Sequence, residues 1–140
     1  MATLQYSTTV NNARLDSIET TIGTVPVIEV RTGAMPANCA AAATGNVLVQ
    51  QALPSDWFAA ASGGVKAIGS GPWALTALSN IATSNAGYFR IHTAGSPSVC
   101  HIQGDITATG GGGAMTLDNI SIAASQAVSV TSFSITAGNA

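Results

Sequence analysis

In Gly87-Tyr-Phe-Arg-Ile-His-Thr-Ala-Gly-Ser-Pro-Ser-Val-Cys-His-Ile-Gln-Gly-Asp-Ile-Thr-Ala108, apolar and polar residues alternate on both sides of Ala94-Gly-Ser-Pro97. A period of two on either side of a tight loop predicts an antiparallel hairpin. With Thr93 facing Ser98, Ile91 falls opposite Cys100 and Phe89 opposite Ile102, so these four share one face, the core face. The other face pairs Tyr88 with Gln103, Arg90 with His101 and His92 with Val99, a polar surface carrying one aromatic.

Outward from this hairpin, the chain beyond Val25 consists of short β-branched runs separated by Gly, Pro, Asn and Ser clusters. Strands are expected around Val25–Thr32, Asn46–Leu53, Val65–Ile68, Trp73–Leu78, Gly87–Thr93, Ser98–Ala108, Met115–Ile122 and Ala127–Thr136. Seven to eight short antiparallel strands close naturally as a β-sandwich or jelly-roll, so the fold is expected to be mainly β. A second hairpin is expected through Ala123-Ala-Ser-Gln126, setting Ile122 near Val128 and Ile120 near Val130. The apolar parity shifts between Leu117 and Ile120, and again between Val130 and Phe133, which predicts a bulge or corner in each strand. The run Gly110–Gly113 has no Lys-Ser/Thr behind it and reads as a flexible connection rather than a phosphate loop.

Ahead of the strands lies one helix, Ser7 to Ile22, with Ser7, Thr8 or Thr9 as cap and Gly23 with Pro26 as stop. Asn11, Leu15, Ile18 and Ile22 form a narrow seam along it. So short a helix is marginal alone and must dock, on its own domain or against copies of itself. Residues 1–24 are accordingly an N-terminal arm and helix, and 25–140 the β-sandwich domain.

The 140 residues hold four Lys+Arg and six Asp+Glu, far below the usual quarter of charged residues, and such a surface is poorly protected against self-association. Four scattered cations cannot neutralise a run of phosphates, which excludes nucleic acid as a partner class. The uncharged stretches Thr32–Ser55 and Ala67–Phe89 are broken by Pro, Gly, Asn and Ser, so no membrane span is expected. The N-terminus lacks the basic and apolar regions of a secretory signal. Nor do the residues suggest an enzyme: the acids are dispersed, no nucleophile has its motif context, and no cofactor is implied. His92 and His101 lack a convincing third ligand and read as surface histidines. Cys39 and Cys100, 61 positions apart, are either two buried thiols or a disulfide formed in an oxidising setting after synthesis. Of the adjacent pair Trp57 and Phe58, one is expected in the core and the other at a partner; Tyr88 is a further outward contact.

Taken together, Thr8-Thr-Val-Asn-Asn-Ala-Arg-Leu-Asp-Ser-Ile-Glu19, Leu53-Pro-Ser-Asp-Trp57, Tyr88-Phe-Arg-Ile91, Cys100-His-Ile-Gln-Gly104, Met115-Thr-Leu-Asp-Asn119 and the ending Val130 to Ala140 resemble a family of small proteins encoded in the virion-structural gene clusters of tailed bacteriophages and prophages. The resemblance implies a non-enzymatic virion protein present in many copies and assembled in the host bacterial cytoplasm. The role that fits best is a capsid decoration or cement protein, a homotrimer whose partners are the major capsid protein and copies of itself. A tail tube or tail-tip subunit, or a surface receptor- or glycan-binding module, is the alternative. On this reading the oligomer or capsid contact is expected at Asn11, Leu15, Ile18, Ile22, Trp57, Phe58 and Tyr88.

Overall fold

The computed structural model describes residues 3–95 and 98–138. A single helix, α1 (Thr8–Ile22), precedes β1 (Val27–Thr32), β2 (Val47–Ala52), β3 (Val65–Ala67), β4 (Trp73–Thr76), β5 (Ser84–His92), β6 (Cys100–Ala108), β7 (Met115–Leu117), β8 (Ser121–Ile122), β9 (Ala127–Val130) and β10 (Ser134–Thr136). The chain is mainly β and sandwich-like. One sheet runs β2-β1-β5-β6-β7, with β8 also on β5, while β3–β10 and β4–β9 form two small sheets. Across the gap Phe89 of β5 meets Phe133, which lies between β9 and β10, edge to face at 5.4 Å. The core gathers Ile28, Val30, Val49, Phe89 and Ile91 from the large sheet with Trp57, Phe58, Trp73, Leu75, Val130 and Phe133 opposite.

α1 starts and stops where capping chemistry places its ends. The Ser7 side chain accepts a hydrogen bond from the Val10 amide, and Gly23, at φ 91°, donates its amide to Glu19 O. Along the helix Asn11, Leu15 and Ile22 are buried, and Ile18 packs half-buried against the core. The helix therefore docks on its own domain.

The leading hairpin exists as β5–β6, with a different register. Phe89 pairs with Gly104, Arg90 with Gln103 and Ile91 with Ile102, and the register then slips so that His92 pairs with Cys100. His101 is the extra residue of this bulge. Because the shift from the expected pairing is two residues along most of the strand, Phe89, Ile91 and Ile102 keep their core face. The bulge turns Cys100 onto the opposite face. Of the expected loop, Ser96 and Pro97 lie outside the described residues, as do Ala2 of the arm and the final Asn139 and Ala140.

Two expectations fail at the far end of the sheet. β7 runs parallel to β6, with Ile106 beside Met115 and Ala108 beside Leu117, so the strands are not all antiparallel. A parallel return normally takes a dozen residues or more. Here residues 109–114 suffice, because Gly110 and Gly112 adopt φ of 88° and 76°. Hydrogen bonds from the Gly113 amide to Thr107 Oγ1 (3.0 Å) and from the Ala114 amide to Asp105 Oδ1 (2.9 Å) fix the loop. The glycine run is thus a built crossover, not a flexible connection. The second hairpin is replaced by a divergence: β8 joins β5 and β9 joins β4, with Trp73 opposite Val130 and Leu75 opposite Val128. Both expected corners are present, separating β7 from β8 and β9 from β10.

Candidate contact surface

Of the seven residues expected to meet a partner, Asn11, Leu15, Ile22, Trp57, Phe58 and Tyr88 are buried within the monomer and Ile18 is half-buried. The helix seam is held to the domain by more than apolar contact. Asn12 Oδ1 accepts from the Gly64 amide (2.9 Å), and Asp16 Oδ1 accepts from the Ala61 amide (2.9 Å) and from Lys66 Nζ (2.7 Å). Glu19 Oε2 lies 3.1 Å from the same ammonium. Lys66 is only 1 % exposed, yet burial, which alone would depress its pKa, is outweighed by these carboxylates and the pKa is raised. The Lys66 hydrogen bond, with help from the Ala61 amide, holds Asp16 below the usual carboxylate range. The surrounding open groove carries Asp16, Glu19, Asp56 and Lys66; three of these four charges are engaged with one another.

Trp57 and Phe58 are both buried, at 0 % and 1 % exposure. Adjacent aromatics point to opposite faces only in a regular strand, and this segment makes a single bridge, Phe58 to Ile68. Their rings lie side by side, 4.3 Å apart, and Phe58 stacks on Phe133. Trp57 Nε1 donates to Gly23 O at the helix end, and Trp73 Nε1 donates to Trp57 O. Each indole N–H is thus satisfied, as burial demands.

Tyr88, expected outward, is also fully buried. The polar face of the sheet is roofed by residues 33–46, a stretch without charge or periodicity in the sequence. Tyr88 Oη donates to Thr44 O and accepts from the Thr44 amide. Arg90 Nη2 points at Asn38 O (3.2 Å), Ala41 O (2.9 Å) and Gln103 Oε1 (2.9 Å), while Gln103 Nε2 donates to Pro36 O (2.8 Å). Gly87 lets the roof come this near, since a Cβ there would collide with Gly33 O. Beside this, Glu29 accepts from Arg31 (2.8 Å) and Gln50 (2.9 Å). His92 is enclosed with Glu29 Oε2 3.6 Å from its Nε2. Burial first, then Arg90 and Arg31, lower its pKa against the pull of Glu29. His101 is exposed on its bulge, so the two histidines do not act together. Among the described residues no group of three His, Cys, Asp or Glu is placed to hold a metal.

What remains outside is sparsely charged. Of the ten charged residues only Arg14, Asp56, Asp105 and Asp118 are exposed. The exposed large apolar side chains include Leu4 and Tyr6 on the N-terminal arm and Val10 in the first turn of α1, with Met35 and Val99 elsewhere. Residues 3–10 are exposed throughout, and Arg14 lies over the Tyr6 ring at 4.8 Å. A further open groove of about 550 Å³ is lined by Val65, Ile68, Thr116, Thr131, Phe133 and Ser134 among others and by no titratable side chain. The polar residues ahead of the helix already read as an extended tail; the burial of the seam behind them did not show in the sequence. The chain matches no protein-family model, no curated protein and no solved structure.

Proposed function

We propose that this protein is a non-enzymatic structural component of a tailed-phage virion, acting as a capsid decoration or cement protein. The observation that carries this reading is the placement of charge. A chain with few charges has withdrawn Glu29, Lys66 and Arg90 into its interior and presents a surface of Ser, Thr, Ala, Gly and Asn. Self-repulsion is weak on such a surface, and close packing beside copies or on a lattice desolvates few ions. The family resemblance of the sequence supports the same reading.

The mechanism is mass action. A protein that binds only the assembled, expanded shell stabilises it at each occupied site by RT ln(1 + [L]/Kd), about 2.7 kcal/mol at a hundredfold excess over Kd. Repetition over a lattice makes modest affinity sufficient. The contact is assigned to the exposed arm with Leu4 and Tyr6, because the helix seam, Trp57, Phe58 and Tyr88 are occupied within the monomer. Major capsid protein and further copies of this chain, as a trimer, are the partners in this reading.

The test is cryo-electron microscopy of purified protein mixed with expanded, undecorated capsids of the phage that encodes it. Regular added density at capsomer junctions is expected, and removal of residues 2–6, which spares the Ser7 cap, should abolish it while the circular dichroism stays unchanged. Bare capsids with protein along or at the end of tails would replace decoration with the tail reading. Undiminished decoration by the shortened chain would remove the arm from the contact.

A further inference from the structure

We propose that Cys39 and Cys100 form an oxidative modification site, an intramolecular disulfide made by exchange with a small-molecule disulfide, which fastens the roof 33–46 to β6. This holds wherever in a particle the protein resides. Cys39 lies in a turn closed by the Ala41 amide, which donates to Asn38 Oδ1 (2.9 Å) and Asn38 O (3.2 Å). Arg90 Nη2 presses that turn onto the sheet through Asn38 O and Ala41 O. Two residues along β5 on the same face is His92, whose cross-strand partner is Cys100. The bulge at His101 is what brings Cys100 there; in an unbroken ladder it would stay on the core face. Both cysteines are free and half-buried.

Cys100 Sγ donates to Ile102 O (3.4 Å), and the Cys39 side chain lies close enough to perturb it. Burial first, then a hydrogen bond with Cys39, pushes the Cys100 pKa up to about 12, so Cys100 stays protonated and is a poor initial nucleophile. The order of events follows. The Cys39 thiolate attacks a disulfide RSSR, forming a Cys39–S–SR bond and releasing one thiolate RS⁻. That thiolate, a base beside the site, takes the Cys100 proton. Cys100 sulfur then attacks Cys39 sulfur and expels the second RS⁻, which is protonated by solvent. Two protein thiols are oxidised to one disulfide and RSSR is reduced to two RSH. The roof, otherwise tied by hydrogen bonds to Tyr88, Arg90 and Gln103, gains a covalent tie across 61 positions. A reducing cytoplasm keeps the thiols free, and release into an oxidising medium closes them.

The experiment is incubation of the native full-length protein with oxidised glutathione, followed by thiol titration, intact mass and peptide mapping. Expected are loss of both thiols, a monomer lighter by two hydrogens, a linked Cys39–Cys100 peptide, and hydrogen exchange at the Ala41 and Thr44 amides slowed at least ~10-fold, all reversed by dithiothreitol. Cys100→Ser should stop at a glutathione adduct on Cys39, and Cys39→Ser should leave Cys100 unmodified. Glutathione on each cysteine separately, disulfide-linked dimers, or thiols that react only after unfolding would each overturn the proposal.

Discussion

The large sheet is covered on both faces, by opposite chemistry. On one, Ile28, Val30, Phe89 and Ile91 meet the cluster Trp57, Phe58, Trp73 and Phe133, where contact is non-directional and energy scales with buried area. On the other, Arg31, Tyr88, Arg90 and Gln103 meet a roof without charges, and the contact is a set of particular donors and acceptors. The difference separates stability from placement. The aromatic face supplies the driving force, while the polar face determines where an aperiodic loop lies and removes charge from the surface.

The sharpest break of this comparison is on the aromatic face. Trp73→Ala removes a fully buried indole that packs against Trp57, Phe58 and Phe133 and leaves Trp57 O with the Gly69 amide as its remaining donor. A loss of about 4 kcal/mol is expected from urea unfolding followed by circular dichroism. A loss below about 2 kcal/mol would mean that the cluster is peripheral to the fold.

On the polar face, Arg90→Met keeps the length and apolar stem of the side chain but deletes the donor shared by Asn38 O, Ala41 O and Gln103 Oε1. A loss of about 2–3 kcal/mol is expected, concentrated in the roof. Hydrogen exchange should accelerate at the Ala41 and Thr44 amides while β1 keeps its protection. Equal acceleration in roof and sheet would show that the two faces form one cooperative unit and that the separation drawn above is false.

The two faces also differ in how much of them could be seen in the sequence. Period-two alternation assigned Phe89, Ile91 and Ile102 to the core through a register error, because a slip of two preserves parity. The Ser7 cap, the Gly23 stop and both strand corners were legible for similarly local reasons. Alternation says nothing about what faces the polar side, since Tyr88 and Arg90 read alike whether they meet water or a loop of carbonyls. The usable signal was scarcity: in a chain with ten charges, Glu29, Arg31 and Arg90 sit at matching parity on neighbouring strands. The parallel β6–β7 return hid because four consecutive glycines have no periodicity, and the His101 bulge left no mark in residue type. The burial of the seam and of Trp57, Phe58 and Tyr88 was missed for a related reason. An amphipathic seam and adjacent aromatics are what any interface offers, including the one inside a monomer.

The mildest test concerns pH, and it bears on the polar face alone. His92 is enclosed among Glu29, Arg90 and Arg31, and its pKa lies below the ordinary 6.5. Between its folded and unfolded values the unfolded chain binds more protons, so stability rises with pH through that window and falls as the solution is acidified below about 6.5. The carboxylate Asp16, shifted downward from 3.8, contributes its own loss only at lower pH and leaves the window clear. The urea midpoint should therefore drop between about pH 7.5 and about pH 5.5, with a slope bounded by ~1.4 kcal/mol per pH unit for one proton. His92→Gln should flatten it. Roof exchange at the Thr44 amide should quicken over the same interval, because the protonated ring sets a third cation beside Arg90 and Arg31. A midpoint that is constant or rises on acidification would show that Glu29 dominates His92, and the ring would then be a charged partner of Glu29 alongside Arg31 rather than a neutral, desolvated group.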